Sequence, residues 1–204
     1  MNWRPRLRNW GWVTDVANLT VLCDACVLYP APLRDLLMHL AVMGLFRPQW
    51  TPTIHEEWIR NVLINRPDLK PEQLQRTRAL MEASVPDGLI TGYEQLIETV
   101  ALPDPDDRHV LAAAIFSGVN TILTFNFKDF PETSLKPYGI EALHPDNFLI
   151  SLFETTPTQV CIAVKRHRLS LKNPPKGVED YLSTMNAQRL TQFVSQLQKF
   201  TEWI

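Results

Sequence analysis

The chain has 204 residues, of which 45% are apolar, and its 20 basic side chains nearly balance 22 acidic ones, leaving a net charge of −2. Such a composition suits one globular domain with a small appendage, excludes a disordered chain, and excludes a global positive field that would draw the molecule onto nucleic acid, so any polyanion contact must be local. No apolar run is long enough to span a bilayer, and an odd cysteine count of 3 fits a reducing compartment; the expectation is a cytoplasmic protein with no membrane contact.

Residues 1–18 read as an N-terminal arm carrying Arg4, Arg6 and Arg8, with no apolar run of signal-peptide length after them. Leu19 to Cys23 has the continuous apolar character of a buried parallel strand, and Asp24 ends it. Cys23 and Cys26 match Cys-x-x-Cys, but no second such pair supplies the other ligands of a zinc site. Pro30 and Pro32 mark a turn. Leu33, Leu36, Leu37 and Leu40 at helical spacing predict a helix from about Leu33 to Met43, ended by Gly44.

Thr53 is placed to cap a helix running to about Asn65, with Glu56 at N3 completing a capping box and Arg60 supporting Glu56 one turn on. Glu57 falls beside the apolar stripe, on the side of Ile54 and Asn61. There an acid is costly unless it has a partner such as a metal; the alternative is a rim glutamate reaching water. A helix from about Pro71, ending before Pro86, carries Glu72, Arg76, Arg78 and Glu82 as a solvated face. Leu89 to Thr91 reads as a short strand and Tyr93 to Val100 as a helical turn or two.

The stretch from Leu102 to Asp129 is the densest in chemistry. Asp104 and Asp107 stand three residues apart, on one face at the start of a helix predicted over Pro105 to Phe116. Capping alone would explain them: an N-cap acid, proline at the first helical position and an acid facing the macrodipole. Asp24, at a strand end, has no such explanation. Gly118 follows the helix, and a strand from Thr121 to Phe125 leads into Asn126 and Asp129. A short helix around Thr133, a strand from Ile140 to Leu143 and a helix from Pro145 through Phe153 complete an alternation that argues a parallel sheet under helical cover. In open sheets of this kind the strand ends and helix starts converge on one crevice. From Thr155 onward the pattern is helix only, with 174–177 as a breaker and a basic run from Lys165 to Arg168.

These motifs, in this order, resemble those of the PIN-domain ribonucleases, in particular the VapC-like toxins of toxin-antitoxin systems. The resemblance covers about Val21 to Phe148. Val-Leu-Cys-Asp24 resembles the first strand with its acid, Glu57 the family's helical glutamate, Asp104 and Asp107 the third motif, and Thr-Phe-Asn126-Phe-Lys-Asp129 the fourth. It implies a three-layer α/β/α fold with a short parallel sheet over 19–150; the tail lies beyond the resemblance, and its helix-only pattern makes 151–204 a C-terminal helical extension. The resemblance also implies Mg2+ or Mn2+ as cofactor, RNA as substrate, a cognate antitoxin as partner, and dimerisation. Two departures stand out: many relatives have Asn or Ser at Cys26 and Asp at Asn126.

Hard oxygen ligands agree with that cofactor, since carboxylates suit magnesium or manganese better than zinc. Asp24, Glu57 and Asp107 are the expected catalytic residues. Asp24 and Asp107 are assigned the principal ion; Glu57 ligates it or orients water; Asp104 and Asp129 hold or support a second, with Asn126 supporting. Arg108 and Lys128 are candidates for RNA phosphates, each also able to pair with a neighbouring acid. His55 and His109 are expected to face solvent or helix neighbours. The reading is a metal-dependent endoribonuclease; the alternatives are a catalytically weak scaffold binding RNA or protein, and phosphatase or DNase chemistry.

Overall fold

In the computed structural model residues 19–204 are described; the expected arm at 1–18, with its arginines, lies outside them. The strands are β1 (Thr20–Cys23), β2 (Arg47–Gln49), β3 (Thr121–Leu123) and β4 (Glu141–Leu143), all parallel, in the order β2-β1-β3-β4. Val21, Leu22, Cys23, Ile122 and Leu123 are fully buried. Successive strand side chains point to opposite faces, so a run of buried neighbours requires cover on both. Helices supply it, giving the three-layer α/β/α architecture anticipated above. The chain leaves β1 for β2 on one side and later returns to β3 on the other. The carboxyl ends of β1 and β3 therefore flank the switch point where a crevice opens.

The helices of the core are α1 (Ala25–Leu28), α2 (Ala31–Val42), α3 (Pro52–Asn65), α4 (Pro71–Ser84), α5 (Arg108–Ser117), α6 (Glu132–Leu135) and α7 (Pro145–Thr155). Several start differently from the sequence reading. Pro30 caps α2 and Pro32 sits in its first turn, where a missing N–H has no helical partner to lose, so the prolines open that helix instead of preceding it. Thr51, extended before Pro52, caps α3 by accepting from the Ile54 N–H at 3.1 Å. The Thr53–Glu56 capping box does not form. Thr53 instead meets the Tyr93 hydroxyl at 3.1 Å, Glu56 is exposed, and no ion pair joins it to Arg60 among the described residues.

Leu89 forms one bridge beside Trp50 instead of a strand: Trp50 N–H donates to Gly88 O at 2.9 Å and Ile90 N–H to Trp50 O at 2.8 Å. The segment 94–99 is a 3₁₀ helix, and a 3₁₀ turn at 105–107 precedes α5, which Gly118 ends at φ 71°. On α4, Arg78 and Glu82 form a half-buried pair at 2.8 Å, so that face is not fully solvated.

The tail consists of α8 (Pro157–Ser170), α9 (Val178–Ala187) and α10 (Thr191–Leu197), with α8 packed on α2 and α10 on α7. A buried carboxylate ties it down. Asp146 accepts from the backbone N–H groups of Gln192 at 2.9 Å and Phe193 at 2.8 Å, satisfying donors that the start of α10 would leave orphaned. The basic run is not one surface face: His167 is buried against the Tyr181 hydroxyl at 3.0 Å, and Arg168 donates to the carbonyls of Lys176 and Ile204. Among the described residues no helix is long and apolar enough to cross a membrane.

Candidate active site

Asp24 is the first residue past β1, and its backbone N–H donates to Leu123 O at 3.1 Å, holding it at the switch point. Its side chain caps no helix, although α1 follows directly. Instead Oδ2 accepts from the Thr124 hydroxyl at 2.7 Å and from the Cys26 thiol at 2.9 Å. Cys26 thus fills a donor's place, while Phe125 N–H donates to its sulfur at 3.3 Å. Burial, with the charge of Asp24 beside it, pushes the Cys26 thiol up to about 12, so it stays protonated as that donor requires.

Asp107 lies where the 3₁₀ turn meets α5. Its carboxyl is pushed up to about 7, first by burial and then by the charges of Asp24, Asp104, Asp129 and Glu57. All four neighbours act in one direction, which makes Asp107 the point on which the carboxylates converge. Asn126 donates toward its Oδ2 at a long 3.4 Å, while the Asn126 backbone N–H is held by the Thr124 hydroxyl at 2.9 Å. Asp104 does cap, accepting from Asp106 N–H at 2.9 Å. A residue with two oxygens can cap and ligate at once, and its ligand atom lies within 4.8 Å of those of Asp107 and Asp129.

Two groupings therefore share Asp107. One is the half-buried trio Asp104, Asp107 and Asp129. The other lines a cleft of about 540 Å³ and comprises Asp24, Glu57, Asp107 and Asn126. The second wall of that cleft is α3, which contributes Arg60, Asn61 and Asn65 beside Glu57. Sequence reasoning placed Asn61 on the side of Glu57 but assigned none of the three to the site, giving Arg60 to Glu56; the spacing of 57, 61 and 65, one helical turn each, carried the signal for the two asparagines.

Of the two histidines His109 departs from expectation, whereas His55 keeps to a helix neighbour. His109 is buried, and its Nε2 meets Glu57 Oε1 at 3.0 Å, so α5 holds the glutamate that α3 supplies. His55 is fully buried and accepts from the Trp58 indole N–H at 2.9 Å. Burial, then the Arg78 charge, lowers it to about 4. Of the predicted phosphate contacts, Arg108 faces Glu98 at 3.7 Å and Lys128 is exposed; neither is among the residues lining the cleft.

The donor set fits a divalent cation. Its members are oxygens only, which suits a hard ion, and burial together with their like charges holds Asp107 back from ionising, a penalty that a cation offsets.

A family model described as "PIN domain" matches residues 20–128, and one described as "VapC50 C-terminal domain" matches residues 145–199. The chain is similar to a protein of Mycobacterium tuberculosis named "Putative ribonuclease VapC50", at 49% identity over 71 residues, which is 33% of this chain and 41% of that relative. The match thus spans less than half of the relative's length. No solved structure matches the chain. With the PIN model covering more than half of its residues, on a parallel sheet whose switch point gathers the acids, this chain belongs to the PIN-domain family.

Proposed function

We propose that the chain is a metal-dependent endoribonuclease that hydrolyses RNA phosphodiester bonds and serves as the toxin of a type II toxin-antitoxin pair, with residues 19–150 as nuclease and 151–204 as its helical extension. The observation that carries this reading is geometric: Asp107 has its ligand atom within 4.8 Å of those of Asp104 and Asp129 and lines one cleft with Asp24 and Glu57. Asp24, Glu57, Asp104, Asp107 and Asp129 would hold Mg2+ or Mn2+, with Asn126 supporting through its amide. Bound there, such an ion supplies an activated water and offsets charge developing on the attacked phosphate. The chain's own groups do the positioning. Thr124 and Cys26 fix the Asp24 carboxylate through two donors. His109 holds Glu57, which is then placed to orient the water. Arg60 on the cleft wall, with Arg108 and Lys128 outside it, would meet RNA phosphates.

The printed name of the relative, a ribonuclease, supports RNA as substrate. An antitoxin that blocks this cleft would present basic side chains to the acids. Purified protein incubated with a mixed structured RNA pool in Mn2+, Mg2+ or EDTA tests the reading, with Asp24→Asn and Asp107→Asn alongside. Cleavage should require metal and fall more than about 100-fold in each variant, beyond the loss typical of an outer-shell partner. Unchanged metal-dependent cleavage in both folded variants would sink it. The neutral Asn126 favours a second reading, a scaffold that binds RNA without cutting; RNA binding that survives EDTA, with no cleavage under any divalent ion, is its signature.

A further inference from the structure

Aromatic rings flank Asn126 along the chain. Phe125 packs edge-on against His144, with ring centroids 5.0 Å apart, and Phe127 lies parallel to the same imidazole at 6.3 Å and 8°. The Arg189 guanidinium sits over the Phe125 ring, 4.8 Å from its centroid. Phe127 is 44% exposed, a large apolar surface left open one residue past Asn126. Arg189 is exposed as well. Between these rings, Asn126 reaches the other way, toward Asp107.

This cluster draws on three elements, and each is fastened. His144 Nδ1 accepts from Asp146 N–H at 3.1 Å, which fixes the imidazole at the start of α7. Asp146 in turn grips the backbone at Gln192 and Phe193, so the turn bearing Arg189 is tied to the same helix start. Among the described residues Arg189 is the non-glycine with positive φ, at 65°. Glycine would take that conformation without steric cost, whereas arginine takes it with strain. In exchange its guanidinium lies on an aromatic face one residue from the site.

We propose that Phe127, His144, Phe125 and Arg189 form a base-stacking platform for an unpaired nucleotide next to the phosphate held in the acidic cleft, with the C-terminal extension supplying the arginine. The proposal rests on the ribonuclease reading and adds to that site a subsite for a base beside its place for a phosphate. Aromatic faces and guanidinium planes are the groups on which unpaired bases stack, and a base inside a duplex has its faces covered. Charge argues the same way. With a net charge of −2 and acids lining the cleft, attraction to phosphates is a weak source of affinity, which leaves stacking to supply it.

The test measures binding of the full chain, in calcium, to a fluorescein-labelled oligouridylate and to a matched oligomer with abasic ribose throughout, with manganese-dependent cleavage followed in parallel. Wild type should prefer the base-bearing oligomer by about 10-fold or more. Phe127→Ala should remove that preference, Phe127→Trp should keep it, and Arg189→Ala should reduce it about 5-fold. Equal affinity of wild type for both oligomers, undetectable binding of either, or a Phe127→Ala variant that weakens both alike, overturns the platform. Both altered side chains are exposed, and melting curves establish that each variant folds. Base-dependent binding by a protein that never cleaves overturns the ribonuclease reading while the platform stands; metal- and Asp24-dependent cleavage without base preference overturns the platform alone.

Discussion

Asp107 is a carboxyl held short of its charge, and this has a measurable consequence. Its folded value of about 7 lies above the ordinary 3.8. Between those values the folded side chain keeps a proton that the unfolded one has released, so its contribution to stability is present at low pH and is lost as pH rises through about 7. Linkage caps the effect at about 4 kcal/mol, and screening in an open cleft reduces it to roughly half. Asp107→Asn should therefore raise the Tm of metal-free protein at pH 8 by about 4–8 °C and leave it nearly unchanged near pH 4. A variant no more stable than wild type at pH 8 counts against the convergence. The same ionisation means that Mn2+ should bind more tightly as pH rises through about 7, and calorimetry would read this.

A second side chain acts through its partner. His109→Ala would leave Glu57 without its donor, and cleavage and Mn2+ affinity should each fall about 10- to 100-fold. His109→Gln, which can still donate an N–H, should recover most of both. Equal Mn2+ affinity in the alanine variant would remove His109 from the site. No sequence spacing could have announced this contact, because the two residues sit 52 positions apart on different helices. Asp24, Asp107 and Asn126 were legible, since each follows a local sign: an apolar strand that stops, or an acid one turn from another.

Helices were easier to find than their first residues. Threonines stand on both sides of Pro52, and Thr51 wins the cap because proline is suited to the first helical position, which puts the cap just before it. Likewise a single basic run hid one buried and one half-buried structural group, because a sequence window cannot tell that His167 meets Tyr181 from α9. The Asp146 clamp was equally out of reach, joining α7 to α10 across 46 positions. Its removal gives an element-scale prediction. Asp146→Ala leaves two backbone N–H groups at the start of α10 without acceptors, which should cost about 3 kcal/mol and lower Tm by roughly 6–12 °C in thermal unfolding. A Tm within about 2 °C of wild type would mean that water replaces the carboxylate.

Over the whole molecule, acid acts in two opposed directions. His55 and His167 are lowered to about 4 by burial, so as pH falls from the ordinary 6.5 toward 4 the unfolded chain takes up protons that the folded one refuses, and stability is lost. Asp107 gains over much of the same range. In Asp107→Asn the offsetting gain from Asp107 is removed, giving a steeper fall in Tm from pH 6.5 to 4 than in wild type. Parallel curves for the two proteins would refute that assignment.

The sheet's outer edge at β2 bears on how the molecule behaves among its own copies. Pro48 stands at the middle of that strand, without an N–H to offer, and just past its end Trp50 already spends its N–H and carbonyl on Gly88 and Ile90. A second chain trying to extend the sheet there finds a gap in the ladder and then a finished hydrogen-bond pair. Self-templated strand addition, the usual first step of aggregation from a bare edge, is blocked on this side of the molecule by a proline and a short stretch of neighbouring backbone.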